Sequence, residues 1–303
     1  MRFSFWIPNT LEWDETLAAA RHAEAIGYDG LWYADHFMPN AVEPADGPVH
    51  EAWSVLAGIA AVVPRVRLGP LVAGNTYRNP AVLAKIVATV DHMSGGRVVV
   101  GLGAGWQENE HRAYGLDFKT FTWRFDRLEE ACQILTGLFG STRTSFDGEH
   151  YKLVEAPLDP RPLQSPPPLL IGGGGEKRTL RIAARYAQEW NVWGMPKLLA
   201  HKSAVLDQHC ATEGRDPATI QRSAVALLFL TDDQERLAAL RSRDIGRPAL
   251  VGTSSELQEV IAGYCDAGVD EFIVPGMTFR SASERQDTLE RFLTEVAAGF
   301  RDN

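Results

Sequence analysis

The sequence alternates short apolar segments with amphipathic segments along nearly its whole length, and this alternation limits the fold most strongly. The apolar segment at residues 97–102 is rich in valine and too apolar to have an exposed face, as is typical of buried strands in a parallel sheet. Helix signals lie between the apolar segments, such as Asn79-Pro80 and the capping box from Thr253 to Glu256. Eight strands are predicted, at residues 2–7, 29–34, 66–72, 97–102, 169–171, 189–193, 222–230 and 271–274. Eight strand–helix pairs predict an α/β fold, a single (β/α)8 TIM barrel over residues 1–303.

An insertion at about residues 140–168 interrupts the alternation between the fourth and fifth strands. Asp147-Gly148 lies at the centre of a segment that predicts a β-hairpin. Residues 157–168 are rich in proline and are expected to cross the surface in extended form. Because no repeat or low-complexity linker marks a boundary, the insertion is assigned to the same domain.

Composition and charge exclude several classes of function. A net charge of −9, without a long lysine/arginine cluster, argues against a nucleic-acid partner. No apolar run has the length of a signal peptide or a membrane span, so a cytoplasmic protein without membrane contact is expected. Cys132, Cys210 and Cys265 are far apart and are predicted to be reduced core residues. The expected partner is a small organic molecule, and a homodimer is kept open.

Residues at the carboxyl ends of the strands are the candidates for chemistry, because barrels of this kind carry their active sites there. This rule selects Asp35 and His36 after the second strand, and Ala104 to Trp106 after the fourth. A histidine beside a carboxylate at a strand end is suited to donate or accept a proton near neutral pH. A packed, hydrogen-bonded histidine without a catalytic role is the alternative.

Four glycines, Gly172 to Gly175, follow the fifth strand and place bare amides where a helix is expected to begin. Such amides carry partial positive charge and bind phosphate or carboxylate groups. Lys177 and Arg178 would add full charges on the first helical turn. For an isolated glycine run, a flexible turn is the alternative interpretation.

The glycines at 101, 103 and 105 have only part of a dinucleotide-binding fingerprint, because Trp106 occupies the place of the third glycine. A Rossmann fold is therefore rejected. Close approach of the backbone to a flat ring explains these glycines better.

Glu108, Glu110 and His111 are interpreted as a solvated face and caps of a short helix, so no metal site is predicted. A glycoside hydrolase needs two carboxylates across the barrel mouth. The strand ends offer only Asp35 and this acidic segment, which disfavours that class.

Four tryptophans near strand ends are expected to line a pocket for a planar cofactor, with core packing as the alternative. They are Trp6, Trp32, Trp106 and Trp193.

At these residues the chain resembles the bacterial luciferase-like superfamily, and within it the coenzyme F420-dependent oxidoreductases. The matching segments run in order almost end to end. They include residues 29–37 (DGLWYADHF), 68–81 (LGPLVAGNTYRNPA), 95–118 (GGRVVVGLGAGWQENEHRAYGLDF) and the glycine-run segment 166–192. The resemblance implies an enzyme that transfers hydride between coenzyme F420 and an organic substrate. An FMN-dependent two-component monooxygenase is the alternative, and a non-catalytic flavin-binding relative is also kept open.

The resemblance also implies roles for individual residues. Asp35 and His36 would lie beside the deazaflavin ring, with His36 catalytic. Leu71 and Val72 would form a non-proline cis peptide behind the ring, and Arg78 could reach the anionic tail of the cofactor. The other implied cofactor contacts are Ala104, Gly105, Trp106, Asn109, Gly173, Gly174, Gly175, Glu176 and Lys177.

One position departs from the related sugar-phosphate dehydrogenases, which carry a glutamate where this chain has Trp106. An indole removes a candidate proton donor and adds an apolar wall. A larger and less polar substrate than a sugar phosphate is therefore expected. Loops at residues 38–49, 231–251 and 276–281 would close over it, and residues 231–251 are expected to be mobile.

Overall fold

The computed structural model describes residues 1–40 and 46–301, and a single parallel sheet curved into a nearly closed barrel organises it. Thirteen strands are found among these residues: β1 (Arg2–Ile7), β2 (Gly30–Tyr33), β3 (Arg67–Pro70), β4 (Ala73–Gly74), β5 (Val100–Gly103), β6 (Arg143–Asp147), β7 (Lys152–Pro157), β8 (Leu169–Gly172), β9 (Glu189–Trp193), β10 (Gln221–Val225), β11 (Leu227–Leu230), β12 (Ala249–Gly252) and β13 (Glu271–Pro275). The barrel order is β3-β2-β1-β13-β10-β9-β8-β5-β4. Because β3 and β4 are two parts of one strand position, the predicted (β/α)8 fold class is confirmed.

Helices connect the barrel strands and pack on their outer side. Ten are described: α1 (Trp13–Ile26), α2 (Ala52–Val62), α3 (Pro80–Ser94), α4 (Glu108–Ala113), α5 (Phe121–Gly140), α6 (Thr179–Tyr186), α7 (Pro196–Thr212), α8 (Gln234–Ser242), α9 (Ser254–Asp266) and α10 (Ala282–Arg291). The Asn79 side chain caps α3, and Thr253 with Glu256 forms the predicted capping box of α9. A helix with the length and apolar character needed to cross a membrane is absent from the described part of the chain.

The predicted seventh strand is two strands. β10 lies in the barrel, whereas β11 leaves it and pairs with β12 in a separate two-stranded parallel sheet. The apolar run over residues 224–230 is continuous, so hydrophobic pattern alone did not reveal the break at Ala226. β12 was not predicted from the sequence, and mobility of residues 231–251 stays a prediction.

The insertion segment contains an antiparallel hairpin of β6 and β7, between α5 and β8. Two proline peptide bonds after the hairpin, Asp159–Pro160 and Ser165–Pro166, are cis. Of the three cysteines, Cys132 and Cys210 are buried, but Cys265 is exposed, so its prediction as a core residue was wrong. In the predicted closing loop at residues 38–49, residues 41–45 lie outside the described part of the chain.

Buried charges close the amino end of the barrel, and Arg2, Arg67, Glu189 and Glu271 are called the amino-end cluster. Arg67 donates to Glu271 at 3.1 Å and also to Glu189. Arg2 donates to Glu271 at 3.2 Å, and the indole of Trp32 donates to the same carboxylate at 2.9 Å. Burial alone would raise the pKa of Glu271, but Arg67 and Arg2 outweigh it and lower that pKa. The two arginines therefore compensate the buried negative charge of Glu271 at this end of the barrel.

Candidate active site

A cavity of about 480 Å³ opens at the carboxyl ends of the barrel strands, where the sequence predicted the chemistry. It brings together residues that are far apart in the chain. The predicted site residues that line it are Asp35, His36, Leu71, Val72, Ala104, Gly105, Trp106, Gly173 and Gly174. The predicted residues that do not line it are Asn109, Gly175, Glu176 and Lys177.

The floor of the cavity is built where β3 breaks. The Leu71–Val72 peptide bond is cis, as the resemblance implied. Side chains would not fit beside it: a Cβ on Gly103 would lie 2.8 Å from Val72, and one on Gly172 would lie 2.9 Å from it. Glycines at both strand ends therefore leave a surface of backbone and one valine, which is suited to a flat ring.

His36 is 8% exposed and lies on the cavity wall. Its Nδ1 lies 3.3 Å from Oε2 of Glu110, and its ring meets the Trp106 ring edge-on at 5.6 Å. Nε2 has no hydrogen-bond partner in the described parts of the chain. With Nδ1 directed at a carboxylate, Nε2 is the nitrogen that can exchange a proton with a ligand in the cavity.

Glu110 is completely buried, so its interpretation as part of a solvated face was wrong. Its carboxylate accepts hydrogen bonds from the amide of Phe37 at 3.0 Å and from the hydroxyl of Tyr77, beside His36. Burial raises the pKa of Glu110, but the hydrogen bonds from His36, Tyr77 and Phe37 outweigh burial and lower it. Glu110 is thus an anion at neutral pH, and His36, Tyr77 and Glu110 are called the mouth cluster.

The sequence did not reveal this role because α4 has only six residues, too few to show which side faces inward. His111 on the same helix is also buried, within 2.6 Å of the Thr76 hydroxyl and 2.7 Å of the Gln107 carbonyl oxygen. Groups of three or more residues suited to hold a metal are absent from residues 1–40 and 46–301.

Asp35 lies beside His36, but its carboxylate is held by Arg78 at 2.7 and 3.0 Å. The Asp35 carboxylate also accepts a hydrogen bond from the amide of Gly74 at 3.1 Å. Arg78 donates a further hydrogen bond to the carboxylate of Glu51. Burial raises the pKa of Asp35 more than Arg78 lowers it. Arg78 is held between two carboxylates and does not line the cavity, which does not fit its predicted role at the cofactor tail.

The glycine run forms the opposite wall. Gly173 has a φ of 122°, and its amide donates to the carbonyl of Asn191 at 2.8 Å. The amides of Gly174 and Gly175 donate to no group within the described residues. α6 begins only at Thr179, so the prediction that Lys177 lies on the first helical turn was wrong. These amides after β8 nevertheless fit an anion, because no described group accepts a hydrogen bond from them.

A cation beside these amides is Lys202 on α7, which the sequence did not reveal. Its Cε would lie 3.9 Å from a Cβ added to Gly174. Its ammonium donates to Glu176 at 2.7 Å, and His201 lies 2.9 Å from the same carboxylate oxygen. Lys177 is exposed instead. Lys202 and the glycine amides together fit the phosphate of a cofactor.

Aromatic side chains line the rim of the cavity. Trp6 and Trp193 lie 5.8 Å apart, and Trp106, which is 52% exposed, faces them from the His36 side. Trp32 is buried below the floor, where its indole donates a hydrogen bond to Glu271, and it does not line the cavity. Its predicted role in lining the cofactor pocket was therefore wrong. The flat floor, aromatic rim and free amides fit a planar cofactor that carries a phosphate.

Comparison with known families agrees with this geometry. The sequence profile of the luciferase-like monooxygenase family matches residues 1–254. An F420-dependent glucose-6-phosphate dehydrogenase from Amycolatopsis mediterranei is 37% identical over 169 residues, which are 55% of this chain and 48% of that protein. An F420-dependent hydroxymycolic acid dehydrogenase from Mycobacterium tuberculosis is 30% identical over 235 residues, 77% of this chain and 63% of that one. The matches thus span about half to two thirds of these relatives.

The fold has been seen in solved structures. An F420-dependent secondary alcohol dehydrogenase, in complex with an F420-acetone adduct, superimposes with a TM-score of 0.86. The two chains are 21% identical, and the match covers 99% of each. At this identity the likeness concerns the fold alone.

Proposed function

Because the chain belongs to the luciferase-like monooxygenase family, we propose that it is a coenzyme F420-dependent oxidoreductase acting on an organic substrate. The names of the two relatives described above support F420 as the cofactor. The observation that carries the proposal is that one cavity joins the glycine run to His36 over a floor of backbone and one valine. A bound deazaflavin would supply a carbon that accepts or donates hydride.

The residues of this chain would hold the cofactor and manage the proton that accompanies hydride transfer. The amides of Gly174 and Gly175, with Lys202, would hold its phosphate. His36 would donate or accept the proton through Nε2, while Glu110 holds Nδ1 and so fixes the ring orientation. Trp106 would cover the site and exclude water.

The substrate proposed is larger and less polar than a sugar phosphate. Trp106 gives an apolar wall where a carboxylic acid would offer a proton. Trp6, Trp193 and Met277 extend this surface around the mouth. Among the described residues that line the cavity, Arg247 is the only lysine or arginine, so polyhydroxylated ligands find few charged partners.

The proposal also covers the domain organisation, the location and the oligomeric state of the protein. It includes one domain over residues 1–303, a cytoplasmic location and a homodimer. The net charge of −9 supports a protein that does not bind nucleic acid. Light scattering on the purified protein measures the oligomeric state.

Titration of the purified protein with F420 and, in parallel, with FMN tests the cofactor. We expect F420 to bind with a dissociation constant of about micromolar order and FMN about tenfold more weakly. Absence of F420 binding at micromolar concentrations would overturn the proposal. Tighter binding of FMN, with oxygen consumption in the presence of reduced FMN, would establish the monooxygenase alternative instead.

The catalytic role of His36 is tested separately by His36→Ala. Its turnover with reduced F420 and a panel of ketones and long-chain aldehydes should fall, while F420 affinity stays within about threefold. Unchanged turnover would indicate a binding protein without chemistry at this histidine.

A further inference from the structure

A second pocket, of about 650 Å³, adjoins the candidate active site. It lies between α8, the segment that follows α8, and the turn at Gly276–Thr278. Arg247 and Met277 line both the pocket and the active-site cavity, so the two spaces meet at these side chains. A ligand in the cavity can therefore extend into the second pocket without crossing the fold.

The second pocket has an apolar floor and a cationic rim, and it is called the arginine pocket. Its apolar lining is Leu227, Phe229, Ala239, Leu240, Ile245 and Met277. Its charged lining is Arg236, Arg243, Arg247 and Arg280. No acidic residue is among the described residues that line it, although the whole chain carries a net charge of −9.

The positive charge of the arginine pocket is only partly neutralised from outside. Arg236 donates to Glu284 at 2.8 Å, and the backbone amide of Arg280 donates to the same carboxylate. Arg243 and Arg247 form no ion pair with any described residue; Arg247 lies over the Trp193 ring, 4.9 Å from its centroid. Four arginines thus line the pocket, and of these only Arg236 has an ion pair among the described residues, so an anionic ligand would add the missing counter-charge.

We propose that the arginine pocket binds the acidic group of the substrate, and that the substrate is an organic anion with an apolar body. The inference rests on the proposed function, since it takes the neighbouring cavity as the reaction site. A guanidinium fork matches a carboxylate or phosphate in geometry and charge. The apolar floor requires hydrocarbon next to the acidic group, because a small hydrated anion would leave that floor exposed.

Calorimetric titration of the full chain with three probes tests the proposal. Decanoate carries both the charge and the apolar body, decan-1-ol carries the body alone, and inorganic phosphate carries charge alone. We expect decanoate to bind at least about tenfold more tightly than either of the other two. Equal binding of decanoate and decan-1-ol would overturn the proposal.

The double variant Arg243→Glu with Arg280→Glu locates the acidic group, and leaves Arg236 and its partner Glu284 unsubstituted. It should weaken decanoate binding by about tenfold and leave decan-1-ol within about twofold. Arg21→Glu on α1 is the matched control, because Arg21 is exposed on the outside of the barrel. Loss of decanoate affinity in the control as well would attribute the effect to overall charge and overturn the proposal.

A parallel titration with F420 separates the substrate's acidic group from carboxylates carried by the cofactor. If the double variant weakens F420 and decanoate equally, the arginine pocket serves the cofactor and the substrate assignment is wrong. F420 binding without decanoate binding would overturn this inference and leave the proposed function unaffected. Decanoate binding without F420 binding would overturn the proposed function and leave the anion site standing.

Discussion

The two ends of the barrel both bury charged side chains, but the amino-end cluster and the mouth cluster use them differently. At the amino end, two arginines and an indole donate hydrogen bonds to Glu271, and the active-site cavity lies at the other end of the strands. At the mouth, Glu110 is buried equally deeply, yet one of its partners is a histidine that faces a cavity. The arginines around Glu271 compensate its buried charge and stabilise the barrel, whereas burial of Glu110 beside a histidine that faces the cavity positions a proton.

The largest effect is expected from breaking the amino-end cluster with Arg67→Met. The substitution leaves Glu189 and Glu271 buried without their main counter-charge. Removing one partner of a buried ion pair costs roughly 3–5 kcal/mol of unfolding free energy. Urea unfolding followed by circular dichroism measures this loss, and F420 affinity of the folded fraction should stay within about twofold.

A matched surface pair provides the control for this prediction. Arg241 donates to Glu256 at 2.8 Å, with both side chains 47% exposed. Arg241→Met should cost only about 0–1 kcal/mol. If the two variants lose equal stability, the amino-end cluster has no special structural role.

The mouth cluster should respond to Glu110→Gln mainly in turnover. The amide keeps the shape of the side chain but removes the charge that holds Nδ1 of His36, so the ring loses its fixed orientation. We expect kcat to fall about 10- to 100-fold, equivalent to about 1.4–2.7 kcal/mol, with F420 affinity changed less than about threefold. Steady-state kinetics and the F420 titration separate these two quantities.

Glu108→Gln is the control for that experiment, since Glu108 lies on the same helix but is exposed. Its kcat should stay within about twofold of the unsubstituted protein. An equal loss in both variants would show that α4 as a whole is sensitive, and the assignment of Glu110 as the residue that positions His36 would fail.

The sequence predicted the parts of the site that depend on strand order. The rule that chemistry lies at carboxyl ends of barrel strands selected His36, and the four glycines after the fifth predicted strand indicated an anion site. Both line the same cavity, apart from Gly175. The structure brings the two segments together because strand alternation fixes which loops share one end of a barrel, without reference to side-chain contacts.

Other parts of the site were not predictable, because they depend on how separate segments pack. Glu110 and Glu108 are two residues apart on one short helix, and only packing decides which is buried. Lys202 reaches Gly174 from a different helix, 28 residues later in the chain. Lys177 was selected for its proximity in sequence, which does not measure distance in space.

A smaller effect, on cofactor binding, distinguishes Lys202 from Lys177. Lys202→Gln removes the cation beside the glycine amides and should raise the F420 dissociation constant about three- to tenfold. Lys177→Gln should change it less than about twofold, because that side chain is exposed on the turn before α6. Fluorescence titration of both variants at one ionic strength measures the contrast. The reverse order would restore Lys177 as the phosphate contact.

The smallest effect concerns pH and follows from the lowered pKa of Glu110. A carboxyl whose folded pKa lies below its ordinary value of 4.5 stabilises the fold above that value. That contribution is lost as the pH falls through the folded pKa, and glutamine does not titrate. The stability difference between the unsubstituted protein and Glu110→Gln should therefore be constant near neutral pH and shrink below about pH 4.5.

Asp35 sharpens this test because its pKa is shifted the other way. Burial raises the pKa of Asp35 above its ordinary value of 3.8, so its ionisation costs stability as the pH rises through that window. The stability difference between the unsubstituted protein and Asp35→Asn should then grow as the pH falls, opposite to the trend for Glu110→Gln. Urea unfolding at several pH values between about 2.5 and 7 measures both differences. Parallel trends in the two variants would show that a general acid effect, rather than these two carboxyls, sets the pH dependence of the barrel mouth.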